Sequence, residues 1–272
     1  LGLALLLATV SCTKDFEEIN TNTNDIDWEK SHPDLLLTGA IEGLSDQIQD
    51  VWLGHEIGSC WVQHMAKVQY TDEDRYLPRN DVINSVWANL YAGPGVEIQR
   101  IIEIAEKADK KNYKAVALVL KCYLFSVLTD LYGDIPYKEA FNIDSALTPK
   151  YDTQEDIYKW MLTEADELIK LYNDPKVANS DQNKTITKSM DRIYAGDMHK
   201  WLQFTKAIKA RILLRKLPNW QNNTATCDEI LSVVNDVLAD WNEPQYKYDG
   251  GSAEKNCPWG IAQPSVNGWE SR

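Results

Sequence analysis

The residues best suited to chemistry are few, and their spacing argues against most reactions. His55-Glu56 opens a His-Glu-x-x-His motif, in which two histidines one helical turn apart hold zinc and the glutamate acts as base. Ser59 stands where the second histidine belongs, so that helix face lacks a ligand. Asn20, Asn22 and Asn24 mimic the start of a calcium loop, yet Ser31 occupies the place of its bidentate glutamate. Asp72-Glu73-Asp74 is dense in carboxylates, but neighbouring positions on regular structure cannot all face one ion, and the run reads as a solvated turn. Asp130 and Asp134 flank Gly133 and read as caps, not as an acid/base pair. The nucleophile elbow, the phosphate-binding loop and the dinucleotide fingerprint do not occur. The expectation is a binding protein with no catalytic residue, no metal site and no cofactor.

The aromatic residues offer more. The chain holds ten Trp and thirteen Tyr against four Phe. Trp160, Trp201 and Trp241 fall on apolar helix faces and are expected in the core. Trp61, Tyr70, Tyr76, Trp259 and Trp269 lie near helix ends or in irregular chain, and they are the candidate ligand contacts. Rings with a polar tip suit half-apolar surfaces such as the faces of sugars. Packing between loops is the equal alternative for these five. A second feature is a basic run, Lys200, Lys206, Lys209, Arg211, Arg215 and Lys216, with no acidic residue between 200 and 216. It reads as a face neutralised by carboxylates elsewhere in the fold, with an anionic partner as the other reading.

The chain begins with a short apolar run, Leu1 to Val10, closed by Ser11 and Cys12. A membrane span needs about 20 apolar residues, so the run is too short to cross a bilayer. An apolar stretch ending in small residues is the pattern of a secretory signal, and a Cys directly after the small residue resembles the lipobox of bacterial lipoproteins. Cys12 is then the lipid attachment site, residues 1–11 a signal remnant and residues 12–30 a polar tether. A soluble secreted protein with a chance Cys is the alternative. Lys14-Asp15 with Glu17-Glu18 resembles the acidic export tag of surface lipoproteins, or is a plain spacer. With no initiator Met before Leu1 and no element completed at Ser271-Arg272, truncation at both ends is expected.

A formal net charge of -13 argues against a nucleic-acid partner, which would be held by clustered Lys and Arg. Cys60, Cys122, Cys227 and Cys257 are widely spaced, without the close pairs of a metal or redox site. Cys122 sits in an apolar helix and reads as a reduced core residue; the spacing leaves a disulfide among the others open.

Helical periodicity runs through nearly the whole chain. Residues 34–68 predict one or two helices. Residues 81–109 predict another stretch with a turn at Gly93-Pro94-Gly95, and further helices fall over 113–132, 153–172, 197–217 and 227–241. The span 113–132 is apolar on most faces, but Lys121, Ser126, Thr129 and Asp130 point to a helix buried among helices. Thr153 with Asp156, or Asp152 with Glu155, gives a capping-box-like start, and Thr226 with Glu229 is expected to cap the last helix. The apolar residues Ile230, Leu231, Val233, Val234, Val237, Leu238 and Trp241 are expected on that helix's inner face. Paired helices with short loops suggest an all-α solenoid of helical hairpins. Residues 244–272 lose the helical period and read as loop-rich.

Several of these segments resemble one family. Leu131-Tyr132-Gly133-Asp134-Ile135-Pro136-Tyr137-Lys138-Glu139-Ala140 is similar to a hallmark of the SusD/RagB nutrient-binding lipoproteins. So are Tyr151-Asp152-Thr153-Gln154-Glu155-Asp156-Ile157-Tyr158 and Gly196-Asp197-Met198-His199-Lys200-Trp201, continuing to Arg211 and Arg215. Trp61-Val62-Gln63-His64 and Asp72-Glu73-Asp74-Arg75-Tyr76 resemble one SusD-like branch. The resemblance implies tetratricopeptide-like helical hairpins, with residues 31–272 forming the N-terminal part of a longer domain. It implies a lipid-anchored protein on the outer face of the outer membrane, capturing a glycan or other nutrient for a SusC-like TonB-dependent transporter. A lipid-anchored glycoside hydrolase, or a scaffold that binds only protein, are the competing functions.

Overall fold

Seven α-helices follow one another in a computed structural model that describes residues 32–142, 148–173, 186–216, 224–250 and 256–258. They are α1 (Pro33–Gln49), α2 (Asn80–Leu90), α3 (Val96–Lys107), α4 (Lys111–Tyr132), α5 (Gln154–Asn173), α6 (Met198–Arg215) and α7 (Thr224–Leu238). Cys12, Trp259 and Trp269 lie outside the described residues. The all-α expectation holds among the described residues, where the single β contact is an isolated antiparallel bridge between Ile135 and Asp152.

Local chemistry explains most of the helix ends. His32 caps α1 by accepting the Asp34 N–H at 3.3 Å, and Pro33 follows at the first helical position, where no N–H is needed. The Asp50 carboxylate accepts the Leu53 N–H at 2.7 Å and starts a π-helical segment, Val51–Cys60. Gly93-Pro94-Gly95 does not end the helical stretch as a turn would. The chain kinks at Gly93, with φ -90° and ψ -108°, and runs on through a π turn into α3. Gly95 is required there, because an added Cβ would lie 2.8 Å from the Phe141 ring and 2.9 Å from the Leu90 carbonyl oxygen.

Helix α4 is the centre of the fold. It packs against α3 on one side and against α5 and α6 on the other. Leu120, Leu124, Phe125 and Leu128 are wholly buried. By length and composition alone α4 would suit a bilayer, but most of its apolar surface is covered by the other helices. Cys122 is buried within it, and burial pushes its thiol well above the ordinary value, as expected of a reduced core residue. Cys60, like Cys122, is a buried thiol outside any disulfide.

The connection from α4 to α5 is locked by polar pairs. Asp152 exchanges backbone hydrogen bonds with Ile135 at 2.9 and 3.1 Å, and its carboxylate accepts the N–H groups of Tyr137 and Lys138 at 2.9 and 2.8 Å. Asp134 accepts the Gln154 N–H at 2.9 Å, and Thr153 accepts the Asp156 N–H at 3.2 Å, so the start of α5 carries two caps. Its inner face is Ile157, Met161, Ala165 and Leu168.

Two expectations fail at α7. Only Val237 of this helix is buried, while Leu231, Leu238 and Trp241 are exposed. The helix packs on α6 at the edge of the stack, and one neighbour covers only part of an apolar stripe. Trp241 is therefore not a core residue. Trp201 is wholly buried, and Trp160 is half-buried and stacked on Tyr137. The helix also begins at Thr224, so Thr226 lies in its first turn and not before it.

Candidate functional site

The irregular chain between the π-helical segment and α2 carries three of the five candidate aromatic residues, and it is built around charge. The π-helical Val51–Cys60 turns Glu56 inward, where its side chain is 1% exposed. Lys67 reaches from the loop with Nζ 3.0 Å from Glu56 Oε1 and 2.8 Å from Glu73 Oε2. Arg79, just before α2, donates from Nε to Glu73 Oε1 at 2.6 Å and pairs through Nη2 with Glu56. Each carboxylate thus meets both cations. Lys67 and both glutamates are almost fully buried, and Arg79 is 26% exposed.

Burial alone would raise the Glu73 carboxyl, but the hydrogen bonds from Lys67 and Arg79 outweigh it and hold the group below its ordinary value. Burial would lower Lys67, and the bonds to Glu73 and Glu56 reverse that as well. Lys67, Glu73 and Arg79 are therefore charged at neutral pH.

This overturns the solvated-turn reading at Glu73, while Asp72 stays partly exposed and pairs with the exposed Arg75. Glu73 is 2% exposed and committed to the quartet, and it begins a short 3-10 turn, Glu73–Arg75. Asp74 accepts the Lys67 N–H at 2.8 Å, which closes the chain from 67 to 74 into a tight loop. Tyr70 lies at the tip of that loop, 67% exposed, and Tyr76 follows it, 56% exposed. Val62, Met65, Val68 and Leu77 are exposed beside them in sequence. Trp61 is half-buried, with its indole nitrogen buried and without a hydrogen-bond partner, so it presents less of its ring than the two tyrosines.

Three residues of the segment have left-handed backbone: Gln63 at φ 60°, Tyr70 at φ 55° and Tyr76 at φ 57°. For a residue with a bulky side chain such a conformation costs about 1 kcal/mol or more, and it persists where the surroundings over-determine it.

No metal-binding group of His, Cys, Asp and Glu occurs among the described residues. His55 is buried, with Nε2 3.8 Å from the Cys60 sulfur, and Glu56 is taken up by the two cations. Burial, with Asp74 nearby, pushes the Cys60 thiol up to about 11, so it is protonated at neutral pH.

Two other surfaces carry apolar groups. Tyr151 is exposed and stacks on the half-buried Trp87, with centroids 6.1 Å apart and planes 17° apart, a pairing not picked out from the sequence. A cavity of about 960 Å³ lies between α1, α6 and residues 244–248, with Ile41, Leu44, Phe204, Ile208, Tyr246 and Tyr248 among its walls. Its lining is mainly apolar, whereas a saccharide needs hydrogen-bonding groups around each ring.

Three cations of the basic run on α6 are neutralised by carboxylates on other helices, as expected. Lys206 pairs with Asp236, Lys209 with Asp166 and Glu229, and Arg215 with Asp130.

Comparison with curated protein sequences gives no match. Solved structures resemble the fold. A Bacteroidetes SusD-like protein superposes with a TM-score of 0.60 at 24% identity over 76% of this chain and 37% of its own. A chitin-binding protein gives 0.59 at 24% identity over 76% and 43%. A SusD homologue from Parabacteroides distasonis gives 0.61 at 19% identity over 86% and 46%. The chain thus spans less than half the length of each of these structures, and identities this low establish the fold alone. A family model described as starch-binding and associating with the outer membrane matches residues 23–252, nearly the whole of the chain. With that match and the helical architecture in agreement, the chain belongs to the SusD-like family.

Proposed function

We propose that the protein is a surface lipoprotein, anchored through Cys12, that captures a glycan or other nutrient and passes it to a SusC-like TonB-dependent transporter in the outer membrane. The observation that carries the capture role is the loop of residues 61–79, which presents Tyr70 and Tyr76 to solvent on a backbone fixed by buried ion pairs. Exposed tyrosines suit the mixed apolar and polar surface of a sugar ring. The family description and the chitin-binding structural relative support a carbohydrate ligand. The protein is a binder and not an enzyme on this reading.

Calorimetry of the full chain against maltoheptaose and N-acetylchitohexaose tests it. Each ring is worth about 1 kcal/mol of stacking, so the double variant Tyr70→Ala/Tyr76→Ala should bind roughly thirtyfold more weakly. Failure of the protein to bind either sugar, or unchanged binding by the double variant, would sink the carbohydrate reading. The transporter role predicts co-purification with a large β-barrel from native membranes under mild detergent. A monodisperse protein without such a partner would count against it.

A further inference from the structure

We propose that the buried quartet Glu56–Lys67–Glu73–Arg79 is the positioning device of the ligand loop, with Lys67 and Glu73 holding Tyr70 and Tyr76 in the geometry that meets the ligand. The proposal rests on the reading that residues 61–79 form the ligand site.

Stability alone does not account for four charges in the interior. Removing ions from water is costly, and apolar residues of the same volume often serve stability equally well. Directional pairing does what apolar packing does not. Lys67 Nζ bridges Glu56 on the π-helical segment and Glu73 across the loop at 3.0 and 2.8 Å. Arg79 joins the same two carboxylates from the start of α2. The loop is thereby tied at its beginning, middle and end to two separate helical elements. A shift of one residue in register would leave a buried charge without a partner.

The backbone supplies the independent argument. Tyr70 and Tyr76 both sit in the left-handed region, which unconstrained tyrosine avoids. Lys67 donates its own N–H to Asp74 at 2.8 Å, so the residue whose ammonium ties the loop also closes it around Tyr70. Tyr76 donates its N–H to the Glu73 carbonyl at 3.0 Å, immediately beside the other end of the quartet. Both strained tyrosines are thus within three residues, or one backbone bond, of a quartet member. Functional side chains held this way are pre-organised by supporting groups that never touch the ligand.

The test is made in the full chain with Lys67→Met, which keeps the length of the side chain and deletes its charge. Glu73→Gln, which keeps the volume and one acceptor oxygen, is the milder companion if Lys67→Met does not fold. In the absence of ligand, amides between residues 66 and 77 should exchange with solvent about tenfold faster, while those of α4 and α6 keep their protection. A loop that occupies its binding geometry about one-tenth of the time weakens apparent affinity by the same factor. Binding of whichever of maltoheptaose and N-acetylchitohexaose the parent protein takes should therefore fall about tenfold. Equal acceleration across the loop, α4 and α6 would assign the quartet to general stability and overturn the proposal. So would unaltered loop exchange in both variants. If the tyrosine double variant loses binding while Lys67→Met and Glu73→Gln bind like the parent, the positioning role falls and the ligand loop stands. If the parent binds neither sugar, the ligand reading falls, and loop exchange still decides whether the quartet orders the loop.

Discussion

Asp191→Ala should destabilise the protein by about 4 kcal/mol, a large share of the 5–15 kcal/mol typical of a folded domain. Asp191 is 1% exposed and accepts four hydrogen bonds. Its Oδ1 takes the N–H groups of Ile193 and Tyr194, both at 3.1 Å. Its Oδ2 takes the Gly196 N–H at 2.9 Å and the indole N–H of Trp201 at 2.7 Å. Alanine would strand all four donors at the entrance to α6, and each buried unsatisfied donor costs about 1–3 kcal/mol before relaxation. Trp201 is wholly buried and touches both Tyr194 and Phe204, so its indole does not simply turn toward water. Trp201→Phe, which removes one of the four bonds and part of the ring, should cost less than Asp191→Ala. Urea unfolding checks this through a lower midpoint at unchanged slope. A loss below about 1 kcal/mol would mean that solvent or a shifted backbone satisfies the donors, and the hub would lose its importance.

What the sequence revealed and what it hid follow a physical rule. Periodicity found every described α-helix, because burial on one face leaves a local imprint at 3.6-residue spacing. The Thr153 cap and the neutralised basic face of α6 were also legible, the first as a short-range pattern and the second from charge balance. Burial that depends on neighbours was not. Leu231, Leu238 and Trp241 have the spacing of an inner face, but α7 lies at the edge of the stack and leaves them open. The ligand loop failed in the opposite direction. Glu73 looked solvated with its neighbours because its cations, Lys67 six residues before it and Arg79 six residues after it, reach it only through the fold of the loop. Nothing in a single sequence announces which cation will fold onto which acid. Tyr70 and Tyr76 were legible as types, while the left-handed backbone that displays them was not.

Gly196→Ala is expected to cost roughly 3 kcal/mol, and the reason can be separated into two parts. Gly196 has φ +81°, a conformation that side chains oppose, and an added Cβ would fall 2.6 Å from the Ile186 carbonyl oxygen. Gly133 supplies the control: its φ is +75°, but nothing lies within 4 Å of the place a Cβ would take. Gly133→Ala should therefore show backbone strain alone, about 1–2 kcal/mol, and the difference between the two variants measures the overlap with Ile186. Equal losses would show that the Ile186 carbonyl gives way freely. The Gly196 N–H is also one of the four donors to Asp191, so the backbone shift that relieves the overlap weakens the same hub. The double variant Asp191→Ala/Gly196→Ala should then cost less than the sum of the single losses, because each change removes part of what the other disrupts. Strict additivity would mean that the overlap is relieved on the Ile186 side, leaving the Gly196–Asp191 bond intact. The short Gly-Asp-Met-His-Lys-Trp segment would then owe its first residue to chain crossing, and its last to the carboxylate that receives the indole.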